Sequence, residues 1–119
     1  MNRARLAIAL AVVALFAVVG GVIILANQHQ GGQNVTFNLT VTGAKTMSPS
    51  TLSAHVNDTI TINIASDTDG EVHLHVYDIA FDTKAGQTVS HTFKADKTCG
   101  CDIEWESTST PLGSLSVNP

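Results

Sequence analysis

Two histidines one residue apart, His73 and His75, are the side chains in this sequence best suited to binding a metal. They lie in the stretch EVHLHVYDI (71–79), whose alternation of apolar and polar residues is typical of a β-strand. Side chains two positions apart share one face of a strand, with about 7 Å between their Cα atoms. The pair therefore offers two imidazoles to one transition metal if a third ligand approaches from a neighbouring strand or loop.

The alternative is that the histidines lie on a solvent-facing side of a sheet. In that interpretation they pair with Asp78, Glu71 or nearby threonines and bind no metal. Tyr77 is expected on the same face as the two histidines, because strand side chains alternate. The opposite face is expected to hold the three apolar residues of the stretch, Val72, Leu74 and Val76. The sequence leaves both interpretations open.

The only two cysteines, Cys99 and Cys101, form the second candidate group. Outside the cytoplasm thiols tend to oxidise, and Gly100 would permit the bent backbone that a Cys-x-Cys disulfide needs. Alternatively, the pair could act as thiolate ligands of a soft ion such as Cu(I). Thioredoxin-type chemistry is not indicated, because it requires a Cys-x-x-Cys motif.

The remaining candidates favour structural roles. His91 shares a strand face with Val89 and Phe93, which predicts a core histidine rather than a ligand. Glu104 and Glu106 are expected to be exposed residues beside a packed tryptophan. Paired carboxylates can perform acid/base catalysis, but nothing near them in the sequence supplies a nucleophile, so an enzyme is the least supported function.

An apolar segment of 21 residues, Leu6–Ala26, indicates a membrane anchor. As a helix it would be about 31 Å long, which matches the hydrocarbon core of a bilayer. A cleaved signal peptide, with a shorter apolar region, is the alternative. Basic residues occur before the segment and are absent immediately after it, which places residues 1–5 in the cytoplasm. The sequence thus predicts a single-pass protein of the cytoplasmic membrane with an extracytoplasmic C-terminal domain.

The part after the anchor divides into a polar tether (27–34) and one domain (35–119). Four lysines oppose ten acidic residues there, a formal charge of −6 against −4 for the whole chain. Such a charge makes nucleic acid and anionic membrane surfaces poor partners. The length suits a single small domain.

Strand patterns dominate this domain, and no segment after the anchor has a helical period. Short alternating runs recur every eight to twelve residues, as in an antiparallel β-sandwich. The expected strands are 35–42, 51–56, 59–66, 71–79, 88–95, 99–107 and 113–119, with a loop at 81–87.

The order of several short motifs resembles a cupredoxin-like domain. SPSTLSAHVNDTITINIASDTDGEVHLHVYD is followed by AGQTVSHTFKADKTCGCDIEWE and by PLGSLSVNP. The resemblance covers residues 46–119. Among cupredoxin-like proteins, this chain is most similar to the small membrane-anchored or secreted forms of bacteria. The resemblance implies an all-β, Greek-key antiparallel sandwich, here preceded by one transmembrane helix.

The resemblance carries over only part of a blue-copper site. In blue-copper members one histidine comes from an earlier strand, and a cysteine, a second histidine and usually a methionine come from a late loop. His73 matches the first histidine. The expected cysteine position is occupied by Trp105 or a neighbour, and no histidine or methionine follows His91. Cys99 and Cys101 occupy positions where, according to the resemblance, the family pattern has a glycine and a buried aromatic residue. A standard blue-copper centre is therefore not expected.

The resulting hypothesis is a membrane-anchored, extracytoplasmic cupredoxin-like protein that binds copper or another transition metal. Its expected ligands are His73 and His75, with Cys99 and Cys101 as soft donors if the folded loop reaches the histidines. One alternative is a metal-free β-sandwich that binds a neighbouring membrane protein. A second alternative is an electron-transfer protein.

Overall fold

The computed structural model describes residues 32–119. The expected cytoplasmic residues 1–5, the expected anchor 6–26 and the first five residues of the expected tether lie outside the described residues. Between residues 32 and 119, no helix is long and apolar enough to cross a membrane.

Nine strands and one 3₁₀ turn make up the described domain. In chain order they are β1 Asn34–Thr42, β2 Thr46–Ser48, β3 Thr51–His55, β4 Thr59–Ser66, β5 Gly70–Leu74, β6 Ile79–Thr83, β7 Gln87–Lys94, β8 Cys99–Trp105, the 3₁₀ turn Glu106–Thr108, and β9 Thr110–Asn118. The expected all-β class is confirmed for this part of the chain.

The strands form two sheets. One has the order β2-β1-β4-β7 and the other β3-β9-β8-β5-β6. The expectation of purely antiparallel pairing is wrong, because β1 pairs with β4 and β3 pairs with β9 in parallel. Parallel neighbours need a crossover connection. The chain provides one by passing through β3, in the second sheet, before it returns to pair β4 with β1.

The core lies between the sheets and follows the alternation of the sequence. In β4 every second residue is buried, and Ile60, Ile62 and Ile64 are almost completely inaccessible to solvent. Val72 and Leu74 of β5 are equally buried in the facing sheet. Because successive strand side chains point to opposite faces, the residues between these apolar positions point outward.

The stretch 71–79 is not one strand, which corrects the sequence-based expectation. Strand β5 ends at Leu74, residues 75–78 form a turn, and Leu74 then pairs with Ile79 in a β5–β6 hairpin. Val76 is 53% exposed instead of inward-facing. The sequence hides this turn because Val76 adopts a positive φ of 76°, which a β-branched residue rarely does.

Tertiary contacts hold that turn in place. The His75 backbone N–H donates to the Asp102 carbonyl oxygen at 2.9 Å, and the Tyr77 hydroxyl donates to the Lys97 carbonyl oxygen at 2.6 Å. The Tyr77 ring packs against Phe93, 5.0 Å away between ring centroids. Tyr77 is therefore in the turn and does not share the strand face with His73 and His75 that the sequence had predicted. The expected loop 81–87 is also shorter, because β6 extends to Thr83.

Candidate metal centre

His73 lies on the outer face of the second sheet, one residue before the end of β5. Its chain neighbours Val72 and Leu74 point into the core, so the imidazole points away from it. It stands opposite Glu104 of β8 in the antiparallel register. The side chain is nevertheless only 17% exposed, because the turn 75–78 and the 3₁₀ turn Glu106–Thr108 lie beside it.

Asp78 determines which nitrogen of His73 can act as a ligand. Its Oδ1 atom lies 2.7 Å from His73 Nε2. A carboxylate accepts hydrogen bonds, so Nε2 carries the proton and Nδ1 of the neutral ring keeps a free lone pair. A carboxylate that holds the distal N–H of a histidine in this way is the usual outer-shell partner at metal sites.

The Nδ1 atom of His73 is buried and has no hydrogen-bond partner. An unpaired buried polar atom is costly, on the order of 1–3 kcal/mol. The carboxylate oxygen Oε1 of Glu106 lies 3.5 Å from this Nδ1 atom. Two ligand atoms bound tetrahedrally to one ion at about 2.0–2.1 Å would lie roughly 3.4 Å apart. The two atoms thus have the separation of two ligands of one metal ion.

His75 supplies the third donor. Its ring centroid lies 4.5 Å from that of His73, with the ring planes at 72°. Its Nε2 atom lies 3.0 Å from Glu104 Oε2, so a second carboxylate orients a second imidazole. One ligand atom each from His73, His75 and Glu106 lies within 4.8 Å of the others. Two nitrogens and one oxygen therefore converge.

The centre is acidic and partly open. Three carboxylates surround two imidazoles, an arrangement that favours a cation. The side chains of His75 and Glu106 are 41% and 50% exposed. Water can therefore reach the coordination positions that the three side chains leave free.

The cysteines do not join this centre. A disulfide links Cys99 and Cys101, whose Cα atoms are 5.3 Å apart. Cys101 is fully buried on the face of β8 that also carries Ile103 and Trp105, whereas Glu104 is on the opposite face with the histidines. A disulfide also offers no thiolate. The structure thus brings together His73 and His75, and it separates both from the cysteines.

The sequence analysis did not consider Glu106 as a candidate ligand. It treated Glu106 as an exposed residue at a strand end, and it considered Asp78 only as a partner of metal-free histidines. A signal was present, since acidic residues follow both the histidine stretch and the strand that pairs with it. His91, expected in the core, is exposed because β7 is an edge strand, although its ring contacts Phe81 edge-on at 4.9 Å.

Known proteins resemble this chain in structure rather than in sequence. No protein-family model matches it, and no curated protein matches it either. A copper-binding protein, solved by NMR in its apo form, matches with a TM-score of 0.61 at 10% identity, over 76% of this chain and 92% of its own. Auracyanin A, a "blue" copper protein from Chloroflexus aurantiacus, matches with a TM-score of 0.54 at 15% identity, over 71% and 99%.

A chain of a heme-copper terminal oxidase dimer also matches, with a TM-score of 0.59 at 12% identity, over 98% of this chain and 99% of that one. Larger proteins match over a part of their length, and this chain spans 39% of a multicopper oxidase. At such low identities the similarities show the fold. That fold is cupredoxin-like, which confirms the resemblance drawn from the sequence motifs.

Proposed function

We propose that this protein binds a divalent transition metal, with copper(II) as the preferred ion, through His73, His75 and Glu106. The observation that carries the proposal is the buried His73 Nδ1 atom, which has no hydrogen-bond partner and lies 3.5 Å from a carboxylate oxygen. Imidazole and carboxylate donors suit Cu(II) and Zn(II), and copper(II) forms the stronger complexes in this series. The copper-binding proteins with this fold support the same choice.

A blue-copper centre does not fit these residues. Such a centre needs a thiolate beside two imidazoles. In residues 32–119 the two cysteines form a disulfide, and Met47 is buried in the core. We therefore propose metal binding without electron transfer as the function of this centre.

Copper retention by the purified full-length chain tests the proposal. The protein is loaded with Cu(II), desalted, and analysed for copper per chain. We expect close to one copper per chain, and its loss when His73 and His75 are both changed to alanine. The matched control is His91→Ala, which removes an exposed imidazole on another sheet and should leave retention unchanged. Absence of retained copper, or equal retention by the double variant, would refute the site.

A second candidate is a metal-free interaction module for a neighbouring membrane protein. Strand β7 is an edge of eight residues, whereas the other sheet edges, β2, β3 and β6, have three to five. A long open edge can accept a strand from a partner. A chain of a heme-copper terminal oxidase dimer has a similar fold, which supports a complex of several chains as the setting.

Two substitutions on edge strands separate this candidate from metal binding. Thr88→Lys places a charge on β7, and Thr51→Lys places the same charge on β3; both positions are exposed. If β7 binds the partner, association in a copper-free membrane extract should be lost only with Thr88→Lys. Association with the partner should also be unchanged when His73 and His75 are both replaced by alanine. Association that depends on those histidines would exclude the metal-free module.

The membrane anchor 6–26, with the domain outside the cytoplasmic membrane, belongs to the same proposal. The apolar length of the segment and the position of Arg3 and Arg5 support it. Membrane fractions washed with alkaline carbonate should retain the full chain with its N-terminus intact. A soluble product that starts after residue 26 would instead indicate a cleaved signal peptide.

A further inference from the structure

The donor atoms of the proposed metal centre are all nitrogen or oxygen, and none is sulfur. Two are imidazole nitrogens and one is a carboxylate oxygen. Cu(I) is stabilised by soft thiolate and thioether ligands, whereas nitrogen and oxygen donors suit Cu(II). The site thus contains nitrogen and oxygen donors, which favour Cu(II), and none of the sulfur donors that favour Cu(I).

Soft donors within the described residues are held away from this centre. The sulfur atoms of Cys99 and Cys101 are joined in a disulfide, and Cys101 points into the core. Met47, the methionine of the described chain, is buried and lies on β2, in the other sheet. A reduced copper ion in the centre would therefore find no sulfur ligand.

The local charge favours the same oxidation state. Asp78 and Glu104 contact the two imidazoles, and Glu106 faces the buried nitrogen of His73. Attraction between these carboxylates and the ion falls when the ion loses one positive charge. The open positions beside His75 and Glu106 would admit water, a further oxygen ligand of the kind that suits Cu(II).

We propose that this centre holds copper as Cu(II) and releases it when a one-electron donor reduces it to Cu(I). This inference rests on the proposed metal site. In the step, one electron passes from the donor, for example ascorbate, to Cu(II). The metal–nitrogen and metal–oxygen bonds break, and Cu(I) leaves for an acceptor with thiolate or thioether ligands. The side chains of the centre are unchanged, so the site can be loaded again with Cu(II).

The test compares copper retention before and after reduction. The full-length chain is loaded with Cu(II), desalted, treated anaerobically with ascorbate and desalted again. Ascorbate is used in place of a thiol or phosphine so that the disulfide stays intact, which mass spectrometry verifies. We expect the untreated sample to keep its copper and the reduced sample to lose it, with loss of the Cu(II) electron paramagnetic resonance signal.

A pair of substitutions at position 106 tests the chemical reason. Glu106→Met replaces the hard donor with a thioether and should retain copper after reduction. Glu106→Gln keeps an oxygen donor of similar size without the negative charge; it should bind Cu(II) more weakly, and the copper that it holds before reduction should be lost on reduction. Because Glu106 is exposed, neither change is expected to disturb folding.

The possible failures can be told apart. If the parent chain does not retain Cu(II) before reduction, the proposed metal site itself is wrong. If it retains Cu(II) and keeps the copper after reduction, the site stands and the release on reduction is refuted. Release from Glu106→Met would also overturn the inference, because donor type would then not control retention.

Discussion

At the scale of single residues, Asp78 is the residue that makes His73 available as a ligand. Its carboxylate lies 2.7 Å from Nε2, which leaves the lone pair on the buried Nδ1. It is itself 89% exposed, so it stabilises the fold little. The main effect of Asp78 is to orient the imidazole of His73 and to increase the basicity of its Nδ1 atom.

We therefore expect Asp78→Asn to weaken Cu(II) binding by roughly 10–100-fold, the usual effect of losing an outer-shell partner of a ligand histidine. An amide accepts a weaker hydrogen bond and can also present its NH₂ group to the ring. Competition with a chelator of known affinity measures the change. Asp82→Asn, another exposed carboxylate, on β6, is the control and should bind as the parent does. Equal affinity of the two variants would show that Asp78 plays no part.

At the scale of structural elements, the turn 75–78 carries one proposed ligand, His75, and Asp78, which orients the other proposed ligand, His73. Val76 in this turn has a φ of 76° and Asp78 has a φ of 55°. Left-handed conformations cost on the order of 1–3 kcal/mol per residue and persist where surrounding contacts enforce them. Here the contacts are made by the neighbours, His75 to Asp102 and Tyr77 to Lys97.

Replacement of Val76 by glycine should release that cost. We expect Val76→Gly to raise the free energy of unfolding by about 1 kcal/mol, since the relief of strain exceeds the added entropy of the unfolded chain. Urea denaturation of the metal-free protein measures it. Val35→Gly, in the extended strand β1, should instead lose stability. A decrease with Val76→Gly would mean that the valine is not strained.

A second element-scale contact joins two turns of the first sheet. The Asp67 carboxylate accepts a hydrogen bond from the Thr68 hydroxyl and one from the Gly43 backbone N–H, both at 2.8 Å. These bonds, the Thr68 hydroxyl foremost, lower the pKa of Asp67 below its usual value. A lowered pKa in the folded state means that the ionised form stabilises the fold.

The pH dependence follows from that direction. The contribution of Asp67 is fully present above the pKa it has in the unfolded chain, and it is lost as the pH falls through the lower pKa of the folded state. Asp67→Asn should thus reduce stability at neutral pH and differ less from the parent at about pH 3. Urea unfolding at both pH values measures this. A difference that grows in acid would contradict it.

At the scale of the whole molecule, the proposed metal binding would be linked to folding. The proposed ligands come from β5, the turn after it and the 3₁₀ turn after β8, so they come together only when these elements are assembled. A ligand that binds only the folded state stabilises it, by about 2.7 kcal/mol at one hundred times its dissociation constant.

Copper(II) or zinc(II) should accordingly raise the melting temperature of the metal-free protein by roughly 10 °C or more at that concentration. Circular dichroism during heating measures the shift, and EDTA should reverse it. The variant with alanine at positions 73 and 75 provides the comparison. If its melting temperature rises as much as that of the parent, the metal binds elsewhere.

The amino-acid sequence by itself determined the all-β class, most strands and the closeness of the two histidines, although it wrongly placed both on one strand. Alternation in stretches such as β4 is a local property, because apolar residues at every second position can bury only one face of a strand. The sequence also established the acidic charge of the domain, and it offered a disulfide between Cys99 and Cys101 as one of two alternatives. The motif order also indicated the cupredoxin-like fold.

Only the tertiary structure decided what completes the centre. Glu106 is 31 residues from His75 along the chain and reaches it because β8 pairs with β5. The turn at Val76 was hidden, since contacts made elsewhere enforce a conformation that valine disfavours. Cys101 was assigned to the core by the face of β8 that it occupies. Ligand geometry depends on strand pairing over long sequence separations, which a single sequence does not specify.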